Sequence, residues 1–441
     1  MLSILKNPTF ARLFAAQIVA LIGTGLLTIA LGLLAFDLAG PRAGAVLGMA
    51  YTIKMLAYVG LSPILGALVA RLPRRAVLIA ADLIRLVVAL CLPFVETVTQ
   101  VYALIFVLQA ASATFSPTFQ ATIPDVLPEE ADYTRALSLS RLAYDLENLL
   151  SPTLAGLLLL VTSYNNLFLG TALGFLLSTL LIVRTPLPSR TETTQRPFLK
   201  RVTRGGWIYL ATPRLRGLLA YNMAAAASGA FVLVNTVVLV RDAYGFDETD
   251  LALAMAAFGA GSMSAALLLP RLLDTLPDRA VMGPAALALS GLTLLHGTLY
   301  ALSGPLPWPL LLIVWALTGG LYSAVLTPSG RLLKRSAQPE DRPAIFTAHF
   351  ALSHVCWLVA YPLAGFAGAR FGLDGALFML GLLGLLAAAC GRLLWRATPE
   401  EVAHEHPDLP DDHPHVLKYG RQSHSHAFVI DDNHHTWPTR S

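Results

Sequence analysis

Residues 43–77 read AGAVLGMAYTIKMLAYVGLSPILGALVARLPRRAV. From Ala43 to Val69 the stretch is apolar apart from Lys54, and it ends in the basic turn Arg71-Leu-Pro-Arg-Arg75. A helix needs about 20 such residues to cross a bilayer, so this stretch is expected to be a membrane span followed by a basic loop. The whole chain has the same character. It is 55% hydrophobic and 13% charged, against about 25% charged in soluble domains. Too few charges remain to coat a water-soluble surface of this size, which makes lipid the expected solvent.

Apolar segments recur near 10–38, 43–69, 76–95, 99–121, 135–162, 164–184, 214–240, 250–272, 281–302, 308–328, 344–369 and 373–395, about twelve in all. They are rich in Leu, Ala and Gly and lack strand alternation. Helices satisfy their own backbone groups in lipid, so the expected fold is an all-α membrane protein with twelve transmembrane helices. The first segment is too long for a cleavable signal core of about 7–15 residues and is expected to stay as the first span. Alternate loops hold most of the basic residues: Lys6; Arg71, Arg74 and Arg75; Arg184 to Arg204; Arg271 and Arg279; Arg331, Lys334, Arg335 and Arg342. The positive-inside rule assigns these loops to the cytoplasm. With an even number of spans, both termini then lie in the cytoplasm of an inner-membrane, multi-pass protein. The basic residues read as orientation signals and not as a nucleic-acid surface.

Leu72-Pro-Arg-Arg-Ala-Val77 after the second span is echoed by Leu276-Pro-Asp-Arg-Ala-Val281 after the eighth. Ser151-Pro-Thr-Leu-Ala-Gly156 in the fifth is echoed by Tyr361-Pro-Leu-Ala-Gly365 in the eleventh. The chain therefore divides into a six-helix bundle over 1–184, a cytosolic linker over 185–206, a second six-helix bundle over 207–397 and a tail over 398–441. Parallel six-helix repeats with a site at their interface are a transporter layout. No phosphate-binding GxxxxGK[ST] accompanies any of the five lysines. An ion gradient is the expected energy source, and no enzymatic activity is indicated. Cys91, Cys356 and Cys390 are scattered, with no metal or disulfide spacing.

Ionisable groups inside spans are functional candidates by default. The fifth span holds Arg141, Asp145, Glu147 and Asn148. Arg141, Asp145 and Asn148 share a helix face, and Arg141 can pair with Asp145; that pair is either structural or part of the site. Glu147 lies off this face, roughly 18 Å into the span. It is either a buried structural carboxyl or a group that exchanges a proton for a cation. Lys54 can neutralise Glu147, attract an anionic solute, or simply be paired. His349 and His354 in the eleventh span are five apart and do not chelate one ion together; His354 can join ligands from other helices or be a satisfied polar residue. Gln17, Gln109, Asn222 and Asn235 are further cavity candidates, or amides that bridge helices.

Eight of the eleven histidines lie in the tail: His404, His406, His413, His415, His424, His426, His434 and His435. Close imidazole pairs interspersed with aspartates suit nickel, copper or zinc. Such a tail either gathers or senses a divalent metal, responds to acid, or is functionally neutral. The apolar fragment Ala427-Phe-Val-Ile430 is expected to dock on the cytosolic loops against their arginines.

The body resembles the major facilitator superfamily over roughly residues 5–397. Gly66-Ala-Leu-Val-Ala-Arg-Leu-Pro-Arg-Arg75 is similar to the family loop G-x-L-a-D-r-x-G-r-r, with Gly66, Leu68, Arg71, Arg74 and Arg75 matching. Ala70 stands where the family has Asp, and Pro73 where it has Gly. The resemblance implies a gating role for this loop, with Asp82 and Arg85 standing in for the missing Asp. Asn7-Pro-Thr-Phe-Ala-Arg-Leu-Phe14, Ile123-Pro-Asp-Val-Leu-Pro-Glu-Glu130 and Ser151-Pro-Thr-Leu-Ala-Gly156 resemble the branch of enterobactin and drug exporters. The histidine-rich tail resembles NreB-type nickel-resistance exporters in architecture. These resemblances imply a monomeric, proton-coupled exporter needing no cofactor, whose tail can bind a divalent metal. Its expected cargo is nickel or cobalt; the alternatives are a drug, metabolite or siderophore, or a metal sensor that transports nothing.

Overall fold

The computed structural model describes residues 2–39, 43–188, 197–395, 401–405, 416–417, 420, 422–432 and 434–437. Within its helices and strands the side chains of 2, 36, 43–45, 48, 148–153, 156, 248, 401, 402, 404, 426 and 427 fall outside the description. The first six spans are α1 (Pro8–Ala39), α2 with α3 (Ala43–Leu56, Ser62–Val69), α4 (Arg74–Cys91), α5 (Val98–Val126), α6 (Glu130–Leu159) and α7 (Asn165–Val183). A connecting helix, α8 (Phe198–Ala211), follows. The last six begin with α9 (Pro213–Val238), α10 (Glu248–Thr275), α11 (Asp278–Ser303) and α12 (Trp308–Leu326), which leads into α13 (Ser329–Arg335). The final stretch, α14 (Arg342–Leu394), is two helices joined at Gly372, whose φ of +80° is one that side-chain-bearing residues rarely adopt.

Ten helices among the described residues are long and apolar enough to cross a membrane. Counting α14 twice gives eleven, and α6, whose charged residues lower its hydropathy, is the twelfth. The twelve expected spans are therefore present. The region expected to be a linker differs from a plain loop. Its end forms the first half of α8, which packs against α3 and α14. Gly205 allows this approach: a Cβ there would lie 2.0 Å from the Ala344 carbonyl oxygen.

Packing inside each set of spans depends on small residues, because lipid supplies no hydrophobic force between helices. In the first set α1 lies against α7, where Gly23 and Gly174 meet. In the second, α10 lies against α12: a Cβ on Gly261 would stand 1.7 Å from the Ala316 oxygen, and one on Gly319 would stand 1.9 Å from the Phe258 oxygen. Across the sets, α6 packs on α10, and α14 packs on α3 and α5. Leu, Val and Phe side chains remain exposed along the outer faces, as expected for surfaces solvated by acyl chains.

The close α10–α12 crossing has a testable consequence. Gly261→Leu should overpack it by about 3 kcal/mol or more and abolish a monodisperse peak in detergent size-exclusion chromatography. Gly291→Leu should leave the peak intact, since a Cβ at Gly291 meets nothing within 4 Å.

Candidate functional site

Two groups of residues stand out: an ionic cluster at the basic-loop end of the spans and a polar, aromatic cluster midway along them. The basic-loop cluster follows the internal repeat. Arg74 and Asp278 occupy equivalent positions, each the first residue of the third span of its set and each following an N-capping proline, Pro73 or Pro277. Glu130 and Arg342 likewise begin the fifth span of each set. In the first set Arg74 pairs with Asp125 at the end of α5, and Asp125 reaches across to Arg342 at 2.9 Å. In the second set Asp278 meets Arg331 at 3.2 Å, and Arg331 reaches across to Glu130 at 2.6 Å. The two triads thus have the same geometry with every charge inverted.

Arg335 reinforces the second triad, contacting Asp278 at 3.3 Å and Glu130 Oε2 at 3.1 Å. Arg331 also donates to Thr134 Oγ1 at 3.1 Å. These pairs tie the two sets together and close this end. Burial alone would raise the Glu130 carboxyl. Its hydrogen bond from Arg335 and the charges of Arg335, Arg331 and Lys334 outweigh that and hold it below the ordinary glutamate range.

The expected stand-ins for the missing loop aspartate do not fill that role. Asp82 and Arg85 pair with each other inside the first set; Asp82 accepts from Ser178 at 2.7 Å, and Arg85 lies between the Phe115 and Phe175 rings. Both are packed among α4, α5 and α7, away from the junction, and Asp125 makes the crossing contact instead. Of the loop residues, Gly66 packs against Thr347 of α14, Arg75 donates to the Val183 carbonyl, and Arg71 is exposed.

In the mid-span cluster, Arg141 and Asp145 form the expected ion pair, at 2.9 Å. Ser262 of α10 joins it, donating to Asp145 at 2.6 Å and accepting from Arg141 Nη2 at 3.1 Å. Arg141 also stacks over the Tyr322 ring at 4.8 Å. The pair therefore bridges the two sets of spans. Glu147 faces Lys54 within electrostatic reach, with Tyr144 close by. Lys54 lies over Tyr58 at 5.6 Å, and Tyr58 packs edge-on against His354 at 4.8 Å. Gln17 accepts from Ser140 at 3.0 Å.

A wall of rings continues from His354: Phe350 at 4.4 Å, then Trp357, which lies 4.9 Å from Tyr361 and 6.3 Å from Tyr322. Sequence reasoning missed these rings and Ser262. Phe350, His354, Trp357 and Tyr361 do recur at i, i+4, i+7 and i+11 along one helix face, a signal that could have found the wall.

His349 bonds to Tyr209 at 3.0 Å, facing α8. Asn222 donates to Leu218 of its own helix, and Asn235 donates to the Ala364 carbonyl. Gln109 is half-buried on α5. The side chain of Asn148 and the Ser151–Thr153 part of the proline motif lie outside the described residues, as do His406, His413 and His415 and the side chains of His404 and His426. Among the described residues no three His, Cys, Asp or Glu converge as a metal site.

The tail is partly folded. Strands β1 (Glu401–His404) and β2 (His424–Ala427) pair antiparallel, the only strands among the described residues. Phe428 and Ile430 then enter the core formed by α8, α9 and α14. As expected, arginines hold this fragment: Arg204 pairs with Asp432 at 2.9 Å, and Arg214 lies over Trp437 at 5.5 Å. The adjacent His434 and His435 do not act as a pair. His434 is buried with Nδ1 2.8 Å from Asp431, whereas His435 is exposed near Trp207.

A two-fold repeated helical bundle, closed at one end by ion pairs and lined at mid-span by polar and aromatic groups, is the form of an alternating-access carrier. The sequence profile described as Major Facilitator Superfamily matches the chain twice, over residues 13–238 and 217–430. This chain belongs to the Major Facilitator Superfamily. It is 23% identical over 384 residues to macrolide efflux protein A of Streptococcus pyogenes, covering 85% of this chain and 93% of that protein. It is 24% identical over 305 residues to the protein of the same name from Enterococcus faecalis, covering 67% and 92%. A bacterial homologue of the iron transporter ferroportin in its outward-facing state has the same fold, with a TM-score of 0.76, 14% identity and coverage of 88% and 99%. The human organic anion transporter MFSD10 (TETRAN) gives a TM-score of 0.73 at 14% identity, covering 87% and 99%.

Because the Glu130 carboxyl is held low in the closed form, its contribution is complete above the ordinary value of about 4.3. It is lost as pH falls through the depressed value. The distance between spin labels at Ala131 and Gln338 should therefore lengthen as pH drops below about 4. Glu130→Gln should lengthen it already at neutral pH; discounting for the 38% exposure of Glu130, the shift should be about 1 kcal/mol, or a few-fold in the open population.

Proposed function

We propose that this protein exports bulky, amphipathic organic solutes in exchange for protons. The observation that carries the reading is the aromatic wall around Lys54, Glu147 and His354, built from both sets of spans. Flat rings with a few placed charges suit an organic molecule that is largely apolar and carries one or two polar groups. A bare divalent ion needs converging nitrogen, sulfur or carboxylate ligands, and the described residues offer no such group of three. Nickel or cobalt as cargo rests on the tail histidines alone, and His434 among them is buried on Asp431. The relatives named as macrolide efflux proteins support export of drug-like solutes.

In this reading the basic loops and both termini lie in the cytoplasm of a bacterial-type inner membrane. The mirrored triads then close the cytosolic side and leave the mid-span cluster facing outward. The units that rock against each other are 1–184 and 207–397; 185–206 connects them, and 398–441 is a cytosolic tail. Glu147 is the proton-exchanging group. Ionised, it neutralises Lys54; protonated, it releases Lys54 to other partners. The Arg141–Asp145–Ser262 bridge holds the two units in register while this happens.

Everted vesicles test the proposal. An imposed pH gradient should drive uptake of a radiolabelled macrolide or of ethidium, and Glu147→Gln should slow it about tenfold or more, with normal protein levels. Nickel uptake under the same gradient, with no uptake of either organic probe, would overturn the proposal in favour of a metal cargo.

A further inference from the structure

A cavity lies at the basic-loop end, between α3, α8 and the start of α14, with a volume of about 240 Å³. None of the mid-span cluster residues lines it. Its walls are mostly apolar, with Pro63 and Ala67 on one side and Ala348 and Val355 on the other. Arg201, Arg204, Glu340 and Asp341 supply its charged lining. Arg204 is committed, with both branches of its fork on Asp341, at 2.7 and 3.2 Å, and Nη1 on Asp432. Arg201 is different. Its Nε and Nη1 are enclosed and have no hydrogen-bond partner among the described residues. The Phe198 ring, 5.7 Å away, gives it only a cation–π contact.

Enclosed guanidinium N–H groups without an acceptor are costly, and a bidentate acidic group satisfies them best. The cavity is smaller than the usual drug site of about 300–1,000 Å³, which favours a slim ligand with one acidic group. Its walls also have a mechanical meaning. Pro63 and Ala67 belong to the first set of spans, while Ala348 and Val355 belong to the second, so any opening of this end draws the walls apart.

We propose that this cleft binds an amphiphilic monoanion, its acidic group on Arg201 and its apolar body between α3 and α14, and that the occupant holds this end of the transporter shut. Such a ligand contacts both walls only in the closed form, and that differential affinity shifts the equilibrium toward it. Carrier turnover then falls as the ligand rises, without competition at the mid-span cluster. The same chemistry is available from a soluble fatty carboxylate or from the headgroup and upper chain of an anionic phospholipid.

The full-length chain in nanodiscs tests this, with decanoate as the probe and decanol as its uncharged control. In phosphatidylcholine discs decanoate should bind and decanol should not. Arg201→Gln should weaken decanoate binding at least tenfold, and Arg201→Lys, which keeps the charge but loses the fork, should weaken it less. In phosphatidylglycerol discs, weakened decanoate binding identifies the lipid headgroup as the natural source, whereas unchanged binding identifies a soluble one. In proteoliposomes decanoate should slow ethidium transport by the native chain and leave Arg201→Gln unaffected. Equal binding by the native and Arg201→Gln chains, equal binding of decanoate and decanol, or binding without slower transport would overturn the proposal. The eluted monomer peak of each variant establishes that it is folded.

Discussion

The closed form rests on crossing ion pairs, Asp125 with Arg342 and Glu130 with Arg331 and Arg335. Their position matters as much as their strength. At the end of the spans water can reach either partner when the pair separates, which lowers the cost of breaking it. The same pairs at mid-bilayer would leave charges stranded in lipid, and the molecule would be locked. An interface meant to open therefore concentrates its charge at its rim. The mirrored design also explains why the charges are inverted and not merely repeated. The first set of spans centres its triad on an acid, Asp125, and the second on a base, Arg331, so each crossing contact joins unlike charges.

The mid-span charges obey a different constraint. Arg141, Asp145 and Ser262 satisfy one another across the two sets, and an aromatic face covers the guanidinium. Lys54 and Glu147 are less completely matched: they lie in electrostatic reach, half-buried, with rings around them. A fully satisfied cluster is rigid, whereas a loosely matched one can exchange partners or protons. That difference separates the bridging group from Lys54 and Glu147.

The tail and α8 tie the soluble end of the molecule together. Arg204 sits between Asp341 at the start of α14 and Asp432 of the tail, so one guanidinium joins connector, span and terminus. Phe428 and Ile430 add apolar burial beneath it. Part of the tail is thus a packed component and not only a carrier of histidines. The hairpin register sets His404 opposite His424, a pairing that linear spacing does not reveal.

Hydropathy, loop charge and the echoed Leu-Pro-x-Arg turn were enough to read the spans and the two-fold repeat, because lipid forces every crossing segment to satisfy its own backbone. The Arg141–Asp145 pair was also legible, since helical spacing alone brings i and i+4 together. The partners between helices were not. Ser262, the placing of Tyr58 and Tyr322 against the ring-bearing face of α14, and the choice of Asp125 over Asp82 as the crossing acid depend on which faces of distant helices meet. Small residues such as Gly205, Gly261 and Gly319 decide that by allowing close approach. The sequence by itself determined the solvent, the spans and their repetition, each a property of local composition. Tertiary structure alone decided which charges neutralise one another, because Coulomb and hydrogen-bond energies depend on distances that chain order does not contain.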